Sequence, residues 1–412
     1  MADSAAEKPR TPFWRSVPFI VFCGCMISLM TFGPRSAMGF FQIPMLADLG
    51  WDRTTFGLAM ALQNLMWGLG QPFFGALADK RGTLFVLTLG AALYAAGLVM
   101  MARATTPEIL YLGGGLMVGL GVSAGSFGIV LAALARIVSP EQRSFVFGLG
   151  TAAGSMGMFV FSPLSQAFID IFGWSDALVA LAILMGLIPI FALALSGNTA
   201  SHPGHKAQFE QSIRQALREA FRHKDFLLLA SGFFVCGFQV AFITAHFPAY
   251  ISDLGIEAKW GVLAIAAIGL FNIVGSIASG IIGQHYSKPI FLALIYIGRS
   301  IVVTIFLLTP PSPLTVIVFS VVMGLLWLST VAPTNALVAI MFGTRYLGML
   351  GGFVFLSHQI GSFLGVWLGG VLYDRTGSYD VVWWIGVALG LFAALVHWPI
   401  REIPVERLEP AT

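Results

Sequence analysis

Apolar stretches of membrane-crossing length, separated by short polar breaks, recur along almost the whole chain. They run over 17–45, 55–78, 84–102, 108–135, 144–169 and 176–196, then over 226–251, 260–284, 289–308, 314–341, 346–373 and 381–399. A helix needs about 20 residues to cross the hydrocarbon core, because every backbone polar group must be bonded internally there. The pattern predicts an all-α membrane protein with twelve transmembrane helices. The breaks hold charges and turn formers, among them Asp79-Lys80-Arg81-Gly82, Ser139-Pro140-Glu141 and Pro310-Pro311-Ser312-Pro313. Residues 1–16 are polar, and the run after them is too long for a cleaved signal, so it reads as an uncleaved first span.

Composition agrees: 57% of the 412 residues are hydrophobic and 10% charged, against about 25% charged in soluble domains. The net charge of +3 forms no continuous basic face, which excludes nucleic acid as a partner. Cys23, Cys25 and Cys236 lie inside apolar stretches, so neither a disulfide framework nor a metal site is expected. Of 22 lysines and arginines, sixteen fall in segments on the side of the termini and four on the other, while Arg35 and Arg299 lie within spans. That bias predicts cytoplasmic termini in a cell inner membrane. The long polar stretch 197–225 places Phe209, Ile213, Leu217 and Phe221 opposite Arg214, Arg218 and Arg222. It reads as an amphipathic helix on the anionic leaflet, or equally as a plain linker helix.

An internal repeat divides the chain. Asp48-Leu49-Gly50 closes the first span and Asp253-Leu254-Gly255 the seventh; Asp170, Gly173 and Asp176 follow the fifth, and Asp374, Gly377 and Asp380 the eleventh. All are displaced by 204 or 205 residues. Two parallel repeats follow: a six-helix bundle over 1–196, a linker over 197–225 and a second bundle over 226–412.

With these repeats, Gly75-Ala76-Leu77-Ala78-Asp79-Lys80-Arg81-Gly82 between the second and third spans resembles the loop signature of major facilitator superfamily transporters. The resemblance implies a conformational latch made of Gly75, Asp79, Lys80, Arg81 and Gly82. In the second copy, over 280–288, Gln284 stands where the aspartate would be. The run Gly369-Gly370-Val371-Leu372-Tyr373-Asp374-Arg375-Thr376-Gly377 is similar to the oxalate/formate antiporter and monocarboxylate transporter branch. Many members of that branch carry an arginine in the eighth span, where this chain offers Asn272 and no charge. The branch implies secondary transport of small organic anions, by proton coupling or exchange, with a central cavity between the halves.

Polar groups inside the spans are candidates for that cavity, since each is costly there without a partner. Arg35 follows Gly33-Pro34 at a predicted bend and suits a carboxylate, or else backbone carbonyls freed at the bend. Gln63, Asn64, Ser123, Phe127, Gln239, Asn272, Trp327, Thr330, Thr334, His358 and Gln359 complete the candidate substrate-binding set. Interhelical hydrogen bonding is the alternative for each. Asp and Glu fall only at span ends or in loops, which leaves His358 and His246 to carry a proton within the spans. Arg299, on a peripheral helix of the resembled fold, reads as packing within its own bundle. No cofactor is expected, and no nucleophile, base and acid come together as an enzyme would need. A monomer moving a small anionic solute, by coupling to protons or by exchange, is the leading expectation. Efflux of amphiphilic compounds is the alternative.

Overall fold

The computed structural model describes residues 13–125, 127–135, 137–138, 140–196, 212–343 and 346–405. Among these residues all regular structure is helical. Nine stretches each cross once: α1 (Val17–Leu49), α3 (Thr83–Ala102), α4 (Pro107–Leu134), α7 (Lys224–Asp253), α8 (Ala258–His285), α9 (Lys288–Leu308), α10 (Pro313–Phe342), α11 (Leu347–Thr376) and α12 (Asp380–His397). A tenth, Gly148–Leu195, has 48 residues, or about 70 Å of helix, more than twice the hydrocarbon thickness. It breaks at Gly173, with φ 77 and ψ 166, and so makes two passes, α5 (140–172) and α6 (174–195). The more polar α2 (Arg53–Arg81) runs beside them and completes twelve.

The repeat is visible in the backbone. Gly50 and Gly255 have φ of 67 and 75, and Gly173 and Gly377 of 77 and 72. Positive φ favours a residue without Cβ, and each pair sits at the offset read from the sequence. Each half packs its own core. One buried cluster draws on residues 20–195 with Ala241, Ala245 and Val366 added; two others draw on 220–400, with Ala37, Phe40 and Met158 added to one of them.

Two helices are interrupted at polar residues. Pro34 removes a backbone donor, and α1 passes from α-helix (Val17–Ser36) through a 3-10 turn (Met38–Phe41) before resuming at Gln42. The second break, in α10, separates Pro313–Leu326 from Val331–Phe342. Fully buried Arg299 of α9 explains it. Its Nε and Nη2 donate to the Leu326 carbonyl at 3.2 and 2.6 Å, and Nη2 also to that of Trp327. Asn272 of α8 accepts from the Leu328 N–H at 3.0 Å, and the Ser279 hydroxyl donates to the Ser329 carbonyl. A buried guanidinium with no carboxylate must collect carbonyls, and unwinding one turn frees them. Trp327, Thr330 and Thr334 therefore do not share one continuous helical face, as their spacing predicts.

The halves meet through α2 against α11 and α5 against α8, and the contact is lopsided. A Cβ at Gly57 would lie 3.1 Å from the Val366 carbonyl, at Gly370 2.5 Å from that of Arg53, and at Gly269 2.6 Å from Met158. At mid-membrane Gly68 lies against Gln359. Toward the side of the termini, Gly75, Gly148, Gly280, Gly283, Gly348 and Gly352 all face open space. The interface is closed at the far side and parted at the side of the termini.

The connector helix Ile213–Arg222 starts at a Ser212–Gln215 capping box and buries Ala216 and Ala220. Its Arg214, Arg218 and Arg222 are exposed, while Phe221 meets Phe226 and Phe353 edge-on. Phe209 of the predicted apolar stripe lies outside the described residues. At the end of α2, Gly82 takes φ 89, and Lys80 and Arg81 are exposed. The Asp79 side chain lies outside the described residues.

The glycine contacts lead to a test. A Cβ at Gly237 of α7 would sit 1.8 Å from the His358 carbonyl. Gly237→Val should cost about 1–3 kcal/mol, read as a lower unfolding midpoint in detergent, whereas Gly352→Ala, in open space, should leave the midpoint unchanged.

Candidate functional site

Arg35 lies in the last turn of the first segment of α1, after Pro34 and before the 3-10 turn, and reaches toward α2. Its Nη2 donates to Asn64 Oδ1, and Asn64 in turn donates to the Met60 carbonyl at 2.8 Å. The guanidinium carbon stands 4.6 Å from the centroid of the Trp67 ring, a distance at which the ring face attracts a cation. Among the described residues no carboxylate pairs with Arg35, and its Nε is buried without a protein partner. The guanidinium is thus held in place by an amide and an aromatic face but is not neutralised.

An aromatic row leads from this charge into the other half. Trp67 meets Phe32 and Phe355 edge-on, with centroids 5.5 and 5.1 Å apart. Phe355 of α11 stacks on His358 at 5.7 Å and 10°, and His358 lies 4.9 Å from Phe233 of α7. The His358 ring has Nδ1 3.5 Å from the Ser362 hydroxyl and also meets the buried Cys236 thiol of α7. Next to it, Gln359 packs on Gly68 of α2, and neither its Oε1 nor its Nε2 has a protein partner. Trp67 Nε1 is likewise unpartnered. Unpaired buried polar atoms cost about 1–3 kcal/mol each. Here they gather beside an unneutralised cation, at the depth where the interface begins to part.

The structure brings together Arg35, Asn64, His358 and Gln359 of the sequence-read set and sends the others elsewhere. Gln63 donates to the Gly114 carbonyl at 2.9 Å, and Ser123 packs on Gly70, so both lie between α2 and α4 of one half. Gln239 donates to the Gly386 carbonyl at 2.9 Å and accepts from Arg299 at 3.4 Å. The Thr330 hydroxyl lies 3.3 Å from the Cys236 sulfur, the Trp327 carbonyl faces Arg299, and Thr334 is buried without a partner. Asn272 braces the α10 break and also donates to Ser155 of α5 at 2.8 Å, across the halves. The Phe127 side chain lies outside the described residues.

His246 is far from this group. Its Nε2 is 2.8 Å from the Val366 carbonyl, which can only accept, so Nε2 carries the proton. Nδ1 then accepts from Gln42 of α1 and from the Tyr379 hydroxyl, each at 3.1 Å. Both ring nitrogens are engaged in one neutral tautomer.

Trp67, Phe32 and Phe355 are the site residues that pattern reading passes over. Trp67 sits three residues after Asn64 and four before Gln71, so it shares their helical face. That spacing was the available signal.

The sequence profile of the Major Facilitator Superfamily matches residues 20–365. An uncharacterized MFS-type transporter of Bacillus subtilis, YcxA, is 24% identical over 361 residues, covering 84% of this chain and 86% of its own. Monocarboxylate transporter 13 of Bos taurus is 25% identical over 403 residues, covering 94% and 91%. Multidrug resistance protein MdtH of Yersinia pestis is 25% identical over 393 residues, covering 90% and 92%. The crystal structure of a D-xylose-proton symporter superposes with a TM-score of 0.72 at 14% identity, over 94% of this chain and 98% of that one, a likeness of fold. The chain belongs to the major facilitator superfamily: it is a multi-pass membrane transporter of small solutes, not an enzyme.

Proposed function

We propose that this protein is a secondary transporter of a small monocarboxylate with an apolar body, bound at Arg35 and carried by alternating access between two six-helix bundles. The observation that carries this reading is the guanidinium itself: half-buried, fixed by Asn64 and Trp67, and matched by no carboxylate among the described residues. A substrate carboxylate supplies the missing negative charge through charge-assisted bonds. Trp67, Phe32 and Phe355 offer apolar faces to the rest of the solute, and the Gln359 amide a further polar contact. The monocarboxylate transporters among the relatives agree with that chemistry.

His358 is the proton-coupling residue of this reading. It borders the same aromatic row and touches only hydroxyl and thiol side chains, Ser362 and Cys236, whereas both nitrogens of His246 are held by a backbone carbonyl, Gln42 and Tyr379. Orientation follows the basic residues: cytoplasmic termini in the cell inner membrane, so that the parted side faces the cytoplasm. The Gly75–Gly82 loop then works as a latch that re-forms when this side closes, which fits the exposure of Lys80 and Arg81 while it is open. Monomeric action suffices, because the site is formed within one chain. A second reading, export of amphiphilic compounds, is favoured by the aromatic lining and by the relative named for multidrug resistance.

Uptake of labelled small monocarboxylates into proteoliposomes tests the assignment. Arg35→Gln should lower uptake about a hundredfold, the scale of losing one partner of a buried charged pair, with insertion and unfolding midpoint retained. Undiminished uptake would remove Arg35 as the anchor, and binding of uncharged amphiphiles in preference to anions would favour the export reading. Proton coupling gives a second expectation. Imposing an inward proton gradient should accelerate uptake by the parent protein, and His358→Gln should make the rate indifferent to that gradient.

A further inference from the structure

At the end of the molecule opposite the termini, Arg53, the first residue of α2, reaches into the other half. Its Nη1 and Nη2 hold the two carboxylate oxygens of Asp253, at the end of α7, at 2.6 and 2.7 Å. Nη1 also donates to the Tyr379 hydroxyl at 2.9 Å, and the guanidinium carbon lies 3.7 Å from the centroid of the Tyr373 ring. Asp374, near the end of α11, accepts from the backbone N–H groups of Arg53 and Thr54 at 3.1 and 2.7 Å, and from the Thr54 hydroxyl. A carboxylate of one half therefore caps a helix of the other, at the positive end of its dipole. Burial pushes the Tyr379 hydroxyl well above the usual tyrosine range, so it keeps its proton and donates it to His246 Nδ1. Gln42 and the Val366 carbonyl extend the row on to α1 and α11.

This pair is unlike an ordinary surface ion pair. The side chains of Arg53 and Asp253 are 13% and 28% exposed, and the geometry is bidentate with an aromatic face beneath it. Solvent-exposed single contacts contribute little; half-buried bidentate ones joined into a network contribute more.

Among the described residues the arrangement exists once. Asp48 and Asp170 are the counterparts of Asp253 and Asp374, but they accept from Trp174 Nε1 at 3.0 Å and Gln166 Nε2 at 2.7 Å, both within their own half. The position that repeats Arg53 holds Glu257 or Ala258. The same turns and acids occur twice, while the cation that crosses the halves occurs once.

We propose that Arg53, Asp253 and Asp374 form a single charged lock that holds the far side shut and must break before the far side opens. Opening separates α2 from α7 and α11 and so parts all three residues together. The lock thus sets the balance between the two facing states, whichever solute is carried.

The test uses Val366→Cys, a fully buried position of α11 packed into the core of the first half, in proteoliposomes treated from the far side with a membrane-impermeant maleimide. With the lock intact, labelling should be slow. Arg53→Ala and Asp374→Asn should each accelerate it about tenfold or more, as loss of a charged hydrogen-bond partner shifts a two-state balance. Asp48→Asn, at the repeat counterpart, should leave the rate unchanged. The buried native cysteines Cys23, Cys25 and Cys236 report misfolding by becoming labelled too. Should Arg53→Ala label them, Arg53→Lys, which keeps the charge but not the fork, takes its place with an intermediate rate expected. Parental rates in the Arg53 variant and in Asp374→Asn would overturn the proposal, as would equal acceleration by Asp48→Asn.

Discussion

A guanidinium among apolar helices must be surrounded by acceptors, because no water is at hand to replace them. The protein meets this demand in two ways. Arg299 is saturated from within: α10 unwinds by a turn, and the Leu326 and Trp327 carbonyls close on the charge. Arg35 is left part-satisfied, with Asn64 on one terminal nitrogen and a Trp67 face beside it. The first arrangement makes a rigid scaffold. The second leaves hydrogen-bonding capacity unused beside the charge, where we propose the solute binds.

The scaffold explains why so many polar residues of α7, α8 and α10 point away from the centre. Gln239, Thr330 and Asn272 are drawn toward Arg299 or the helix break it stabilises, and Asn272 carries that order across to Ser155 of the other half. What remains between the halves is a small group beside Arg35, open toward the side of the termini. At the far side the backbones approach closely at glycines, and charged groups seal the approach. A transporter needs this inequality, since a cavity open at both ends would leak.

Much of the architecture could be read from the chain. Helix number, the two-fold repeat and its offset follow from apolar runs and from Asp-Leu-Gly and Asp…Gly…Asp spacings, and the repeated glycines all take positive φ. The interruption of α1, which falls just after Pro34, was legible for the same reason, as a local property of one helix. The face of α10 was not. Its break is imposed by an arginine on a different helix, and helical periodicity carries no record of a neighbour. Nor could spacing alone separate Gln63, which turns to α4, from Asn64, which turns to Arg35.

The sequence by itself determined that the chain must live in a bilayer, how often it crosses, that it is built twice over, and which few polar groups it commits to the apolar interior. Those are consequences of local composition and of the helix as the only open-chain way to satisfy a backbone in hydrocarbon. Tertiary structure decided which of those polar groups are used up in bracing and which are left unpaired at the interface. It also decided that Arg53 and the acids 200 and 321 residues away from it meet. Partnership among buried charges depends on which helices are adjacent and which end of the interface is closed, and neither is encoded within any single span.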